Sequence, residues 1–121
     1  MTDILTLTMN PAVDVFTSID KVIPGHKLRC ASAQTHPGGG GINVARVLHR
    51  LGADVLALHV SGGATGRVLR ELLDHEHIPA QAIEIAGETR ESFTAHETST
   101  GQDFRFVLPG PTLSESESRN S

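Results

Sequence analysis

Four consecutive glycines, Gly38 to Gly41, follow Pro37 and run straight into Ile42, Asn43, Val44 and Ala45. Glycine brings no side chain to packing and loses the most backbone entropy on folding, so a run of four is there for backbone geometry. The segment behind the glycines reads as a helix. Val44, Val47, Leu48 and Leu51 fall at i, i+3, i+4 and i+7 with Arg46, His49 and Arg50 between them, and Gly52 stands where a C-terminal cap belongs. A glycine turn feeding a helix N-terminus leaves converging amide N–H groups that suit a phosphate, a developing anion or sugar oxygens. Asn43, in the first turn, adds a side chain that both donates and accepts. The competing reading is a flexible connector. The helix directly behind the glycines weighs against it, because it hinges the loop to a rigid element.

The rest of the chain alternates strands and helices around this loop. Ile4 to Thr8 reads as a short buried strand ended by Asn10-Pro11, with Asp14 just beyond it, either a substrate-gripping carboxylate or a solvated turn residue. Val15 to Ile23 reads as extended and closes at Pro24-Gly25. Lys27 to Cys30 alternates charge with apolar residues like a strand with one wet face, on which Lys27 and Arg29 either hold a phosphate or solubilise a sheet. After the first helix come a strand over Asp54 to Val60 and a second glycine cluster, Ser61-Gly62-Gly63-Ala64-Thr65-Gly66. A helix with the stripe Val68, Leu69, Leu72 and Leu73 follows, then a third strand over Ala82 to Ile85. This order implies a parallel sheet with crossover helices. Phe93 to Thr98 and Asp103 to Leu108 read instead as a hairpin around Ser99 to Gln102. Ser114 and Glu117 have capping-box spacing, so a helix is expected to start near Thr112 or Leu113, and only a polar tail to Ser121 follows it.

At 121 residues, with 38% hydrophobic and 20% charged residues, the chain is sized for one small globular domain. A net charge of −4, without a basic stripe interleaved with aromatics, argues against nucleic-acid binding. A single cysteine, Cys30, excludes an internal disulfide framework and reads as a small packed residue rather than a nucleophile. The short N-terminal apolar run behind Asp3 forms neither a signal peptide nor a membrane span, so a cytoplasmic protein is expected. Seven histidines are scattered without ligand spacing, no nucleophile elbow is present, and the glycines do not fit a dinucleotide fingerprint.

The run Gly39-Gly40-Gly41-Ile42-Asn43-Val44-Ala45, with Gly52 and Gly62 at their intervals, resembles the N-terminal signature of the PfkB, or ribokinase-like, carbohydrate kinases. The resemblance extends through Asn10-Pro11 and Asp14, the Lys27 to Cys30 run, Gly62 to Gly66, Thr89-Arg90 and Arg105 to Gly110, in order along nearly the whole chain. Within the family the motifs look most like the 6-phosphofructokinase branch. The resemblance implies an α/β, partial ribokinase-like fold over residues 1–121, with a parallel sheet, crossover helices and a small antiparallel β-lid from about 15–36 and 93–108. It implies that Asp14 and Asn43 hold sugar hydroxyls and that the Gly39 and Gly40 backbone lines the sugar. Arg90 with Lys27 would hold a sugar phosphate, and Arg29 would belong to the lid. A surface ion pair with Glu88 or Glu91 is the plainer reading of Arg90.

The acceptor implied is fructose 6-phosphate or a related phosphorylated ketohexose. The absence of a lysine inside the glycine loop favours fructose 6-phosphate, whereas Asn10-Pro11-Ala12-Val13-Asp14 leans toward 1-phosphofructokinases, with tagatose-6-phosphate kinases as further neighbours. The family uses ATP and Mg²⁺, with a base in a Gly-Ala-Gly-Asp loop. That loop does not occur in these residues, so the resemblance covers an N-terminal, substrate-binding part and implies an isolated chain without turnover. A homodimer through the lid is implied as well. A sheet meant to continue is expected to leave an open edge and an apolar face, hence loose folding or aggregation. A non-catalytic sugar-phosphate-binding or dimerising module is the alternative from a different functional class.

Overall fold

The computed structural model describes residues 3–120, of which 118–120 by backbone alone; Ser121, the end of the polar tail, lies outside the described residues. Two sheets share one pair of helices. The first is parallel, with order β1 (Ile4–Thr8), β4 (Val55–Ser61), β5 (Ala80–Glu84). The second runs β3 (Gln34–Gly38), β2 (Ala12–Ile19), β6 (Arg90–Glu97), β7 (Gln102–Val107). The small antiparallel sheet expected from the sequence is therefore present, with one parallel pair, β2 with β6, at its centre.

Helices α1 (Gly40–Arg50) and α2 (Gly63–His75) both pack on one face of the parallel sheet. The core joins Ile42 and Ala45 of α1 to Val55 and Ala57 of β4 and to Leu69 and Leu73 of α2, with Val13 and Ile78. Gly52, at φ 87°, ends α1 in a left-handed turn. Its N–H donates to His49 O at 3.0 Å and the Ala53 N–H to Leu48 O at 3.0 Å, a Schellman closure. Arg46 fastens the two helices: its Nε lies 3.0 Å from Glu76 Oε1 beyond the end of α2. The capping box forms as read, with Ser114 N donating to Glu117 Oε1 at 2.9 Å and Glu117 N to Ser114 Oγ at 3.1 Å. The helix it opens, α3, begins at Glu115.

Three readings are corrected. The apolar stripe of α1 does not face the core: Val44, Val47 and Leu51 are 52%, 55% and 77% exposed, and the buried side is Ile42 and Ala45. The small Ala45 lets the helix lie close to the sheet, which a stripe of larger residues would hold off. Lys27 to Cys30 forms no strand: Leu28 and Cys30 are exposed along with the two cations, so the alternation has no buried side and Cys30 is not packed. That segment is an exposed loop tied back by Ala31 N donating to Ser18 O at 2.9 Å. The strand before the glycines is instead β3, and it includes Pro37; the missing N–H of a proline is tolerated at a sheet edge. Asp14, finally, lies within β2 and not on a turn beyond β1.

The parallel register pairs Leu5 with Leu56 and Leu7 with Leu58 on the sheet face opposite the helices. Leu5 and Leu7 are 59% and 49% exposed, and β1 is an edge of its sheet. Parallel sheets are ordinarily covered on both faces, and each leucine left in water forgoes about 1.5–3 kcal/mol of burial. None of the described helices is long and apolar enough to cross a membrane. The chain on its own is therefore expected to self-associate and to bind a hydrophobic dye, and a Leu5→Glu/Leu7→Glu variant to do both less. Light scattering with dye titration checks this; a dye-silent monomer with a sharp, reversible melt contradicts it.

Candidate functional site

The glycine run is held by close approach to the C-terminal end of β1. Gly39, the residue before α1, sits at φ 121°, and a Cβ there would lie 2.6 Å from Thr8 Cγ2 and 3.2 Å from Pro11 Cα. At Gly41 a Cβ would be driven into Thr8 Oγ1 and would stand 2.7 Å from Leu7 O. Gly38 lies under the Asp14 carboxylate, with the same consequence. A side chain at Gly39 or Gly41 would press on Thr8 and the β1 or Pro11 backbone, and one at Gly38 would displace the Asp14 carboxylate. The loop passes into α1 through Asn43 N donating to Gly39 O at 2.8 Å, so the amides ahead of Asn43 open the helix N-terminus.

A cavity of about 170 Å³ opens above this loop. The loop side carries Gly39, Gly40 and Asn43; facing it is one face of β2, β6 and β7, with Asp14, Phe16, Arg90, Ser92, Thr94, Arg105 and Val107. The structure thus brings together five of the residues singled out in the sequence: Asp14, Gly39, Gly40, Asn43 and Arg90. It does not bring in Lys27 or Arg29, which lie on the exposed loop and do not line the cavity. The cation missed in the sequence is Arg105. Its signal was available: it stands opposite Thr94 in the hairpin register, on the same face as Asp14 and Ser92.

Arg90 is not part of a Glu88 or Glu91 ion pair. Its Nη1 donates to Leu108 O and its Nη2 to Asn10 O, each at 3.1 Å, and its Nε is buried with no protein partner. The guanidinium is thus clamped in plane by two carbonyls while keeping donors for an incoming acceptor. Burial raises the Asp14 carboxyl above the ordinary carboxylate range; Arg90, then Arg105, His36 and Arg46, oppose that rise. A carboxylate kept among cations in a partly dry wall can accept hydrogen bonds from hydroxyls.

The second glycine cluster is differently committed. Glu88 Oε1 accepts from Thr65 N at 2.7 Å, so the chain's own carboxylate sits at the start of α2, and that bond holds Glu88 below the ordinary carboxylate range. Another cavity, of about 190 Å³, lies beside His59, but Arg70 there donates to Ser61 Oγ at 3.1 Å. Burial keeps the His59 imidazole below its usual pKa, and its Nδ1, 3.1 Å from Val60 O, must carry the proton. Among the described residues no group of three or more His, Cys, Asp or Glu side chains could hold a metal ion. The Glu88 carboxylate at the start of α2 opposes a nucleotide phosphate at that helix N-terminus.

The sequence profile of the pfkB family carbohydrate kinases matches residues 7–120. The chain belongs to the pfkB family of carbohydrate kinases. ATP-dependent 6-phosphofructokinase isozyme 2 of Mycobacterium tuberculosis is 53% identical over 114 residues, 94% of this chain and 34% of that protein. The isozyme 2 of Escherichia coli K12 is 42% identical over 119 residues, 98% of this chain and 38% of that protein. A tagatose-6-phosphate kinase of Staphylococcus epidermidis is 37% identical over 116 residues. Among solved structures, phosphofructokinase-2 from E. coli in complex with fructose-6-phosphate superposes with a TM-score of 0.93 at 42% identity, covering 99% of this chain and 40% of that one. This pfkB-family chain therefore spans between about a third and two-fifths of the length of the relatives it matches.

The raised Asp14 pKa gives a pH signature. A carboxyl that binds its proton more tightly when folded lends stability at low pH, which is lost as pH rises from 3.8 through the folded value. Asp14→Asn should thus be more stable than wild type at neutral pH without ligand, with the gap closing below pH 3.8. Denaturant melts across pH check this; a gap that widens on acidification contradicts it.

Proposed function

We propose that this chain is the acceptor-binding part of a phosphofructokinase-type sugar-phosphate kinase, and that its ligand is fructose 6-phosphate or a related phosphorylated ketohexose. The single observation behind this reading is the cavity in which the Gly39–Gly40–Asn43 loop faces a sheet surface carrying Asp14, for hydroxyls, beside Arg90 and Arg105, for a phosphate. A dianionic phosphate is best met by planar guanidinium forks, and Arg90 is already oriented by two carbonyls. Asp14 and Asn43 bind and orient the sugar hydroxyls, while the Gly39 and Gly40 backbone lets the ring come close. The relative solved with fructose-6-phosphate supports the choice of acceptor. The tagatose-6-phosphate kinases among the relatives keep the sugar isomer open to test.

In this reading residues 1–121 are the N-terminal substrate-binding portion of a ribokinase-like domain, and the four-stranded sheet acts as a lid over the sugar. ATP and Mg²⁺ belong to the full-length protein of this family, which would transfer the γ-phosphoryl group to the sugar in the cytoplasm, at the fructose 1,6-bisphosphate-forming step of glycolysis. The exposed Phe93 and Phe106, paired on the face of the four-stranded sheet opposite Thr94 and Arg105, support a homodimer through the lid.

Calorimetric titration with fructose 6-phosphate, fructose 1-phosphate and tagatose 6-phosphate tests the assignment. Saturable binding of fructose 6-phosphate is expected, and a charge-assisted hydrogen bond is worth about 1.5–3 kcal/mol. Arg90→Met should accordingly weaken binding roughly tenfold or more. A coupled assay with MgATP should show no turnover by the isolated chain. Binding that is indifferent to Arg90→Met, or clear turnover, overturns the reading.

A further inference from the structure

The second glycine cluster has the composition of an anion cradle, yet its backbone is spent on the chain itself. Gly62 and Thr89 bond both ways: Gly62 N donates to Thr89 Oγ1 at 3.0 Å, and Thr89 N donates to Gly62 O at 3.0 Å. Ile85 N adds a bond to Ser61 O at 3.0 Å. A Cβ on Gly62 would be driven into Gly87 O, and one on Gly66 would stand 2.5 Å from Ser61 Oγ and 3.1 Å from Thr89 Oγ1. Gly62 is therefore glycine because residues 85–89 lie directly against the start of α2, and Gly66 because both Ser61 and Thr89 crowd it. Thr89 is 3% exposed, and the residue after it, Arg90, is the first of β6.

This placement gives the glycines a purpose the catalytic reading leaves unused. The Arg90 guanidinium meets Leu108 O and Asn10 O together, so movement of its backbone changes its reach to both. Thr89 is the residue directly before Arg90, so a shift of residues 85–89 passes through one planar peptide to the start of β6, where Arg90 pairs with Ala12 of β2. We propose that Thr89, through its reciprocal pair with Gly62, is a positioning residue that aims Arg90 into the cavity and so sets the site's preference for a phosphorylated over an unphosphorylated ketose. The inference rests on Arg90 acting as a phosphate ligand. Removing the Thr89 hydroxyl leaves the buried Gly62 N–H unpaired, and the 85–89 segment must shift to rehydrate it. Shifts of about 1 Å at a positioning group are enough to cost a large factor at the site it serves.

The test is a set of ¹H–¹⁵N chemical-shift titrations with fructose 6-phosphate and with fructose, on wild type, Thr89→Val, Thr89→Ser and Arg90→Met. The expected result is that Thr89→Val loses about tenfold in fructose 6-phosphate affinity with fructose unchanged, Thr89→Ser keeps the wild-type ratio, and Arg90→Met loses the discrimination. Should Thr89→Val fail to fold, Thr89→Cys, whose sulfur is a weaker acceptor for the Gly62 N–H, is read in the same way for a smaller loss. An unchanged ratio of the two affinities in the valine or cysteine variant, even with a lower melting temperature, overturns the positioning role while leaving Arg90 as phosphate ligand. A wild type without preference for the phosphorylated sugar, or an Arg90→Met variant that keeps it, overturns the underlying reading and this inference with it.

Discussion

The contact on which the rest of this structure depends is the approach of bare backbone to the end of β1. Thr8 and Leu7 O occupy the space that side chains on Gly39 and Gly41 would need, and Asp14 fills the space above Gly38. That one steric fact fixes where α1 starts, which way its N-terminal amides point and how near β2 comes to it. Entropy is lost in ordering four glycines, and burial of Ile42 and Ala45 at the base of the same helix offsets that loss. The loop is thus a rigid floor with its donors facing outward.

The second sheet supplies what the floor lacks. β2 runs from the loop side of the cavity, carrying Asp14, and pairs in parallel with β6, which starts with Arg90; β7 returns antiparallel and places Arg105 beside Thr94. Cations and carboxylate therefore share one small cavity, and the Asp14 proton affinity reflects that balance, with burial outweighing four positive neighbours. The stability of the chain is less well provided for. Leu5, Leu7, Val44, Val47 and Leu51 all face water. These surfaces are apolar enough to be a core once covered.

Local chemistry was legible in the sequence wherever it acts through the backbone. The glycine loop, the Gly52 closure, the Ser114–Glu117 box, the limits of β1 and the hairpin could all be read, because each is a rule about a few neighbouring residues. The features that could not be read depend on partners distant in the chain. The α1 stripe has good helical period, but only the sheet decides which side is inward, and it selected the smaller Ile42 and Ala45 side. Lys27 to Cys30 alternates like a strand, yet both its charged and its apolar residues stay exposed, and alternation makes a strand only where one side is buried against a core. For the same reason Lys27 and Arg29 stay out of the cavity, while Arg105, on a strand paired with β6, enters it unnoticed. Arg90 could be read as a cation for a phosphate, but its clamp could not, because Asn10 and Leu108, which hold it, lie 80 and 18 residues away.

The central claim is that a backbone cradle and an arginine wall form one binding site before any ligand arrives. The most direct measurement is an amide and arginine side-chain chemical-shift map of the ¹⁵N-labelled chain during titration with fructose 6-phosphate. Concerted saturable shifts at Gly39, Gly40, Asn43, Arg90 and Arg105, with Arg67 and Arg70 at the second glycine cluster unmoved, are the predicted result. Shifts confined to Arg67 and Arg70, or to Lys27 and Arg29 alone, would contradict it.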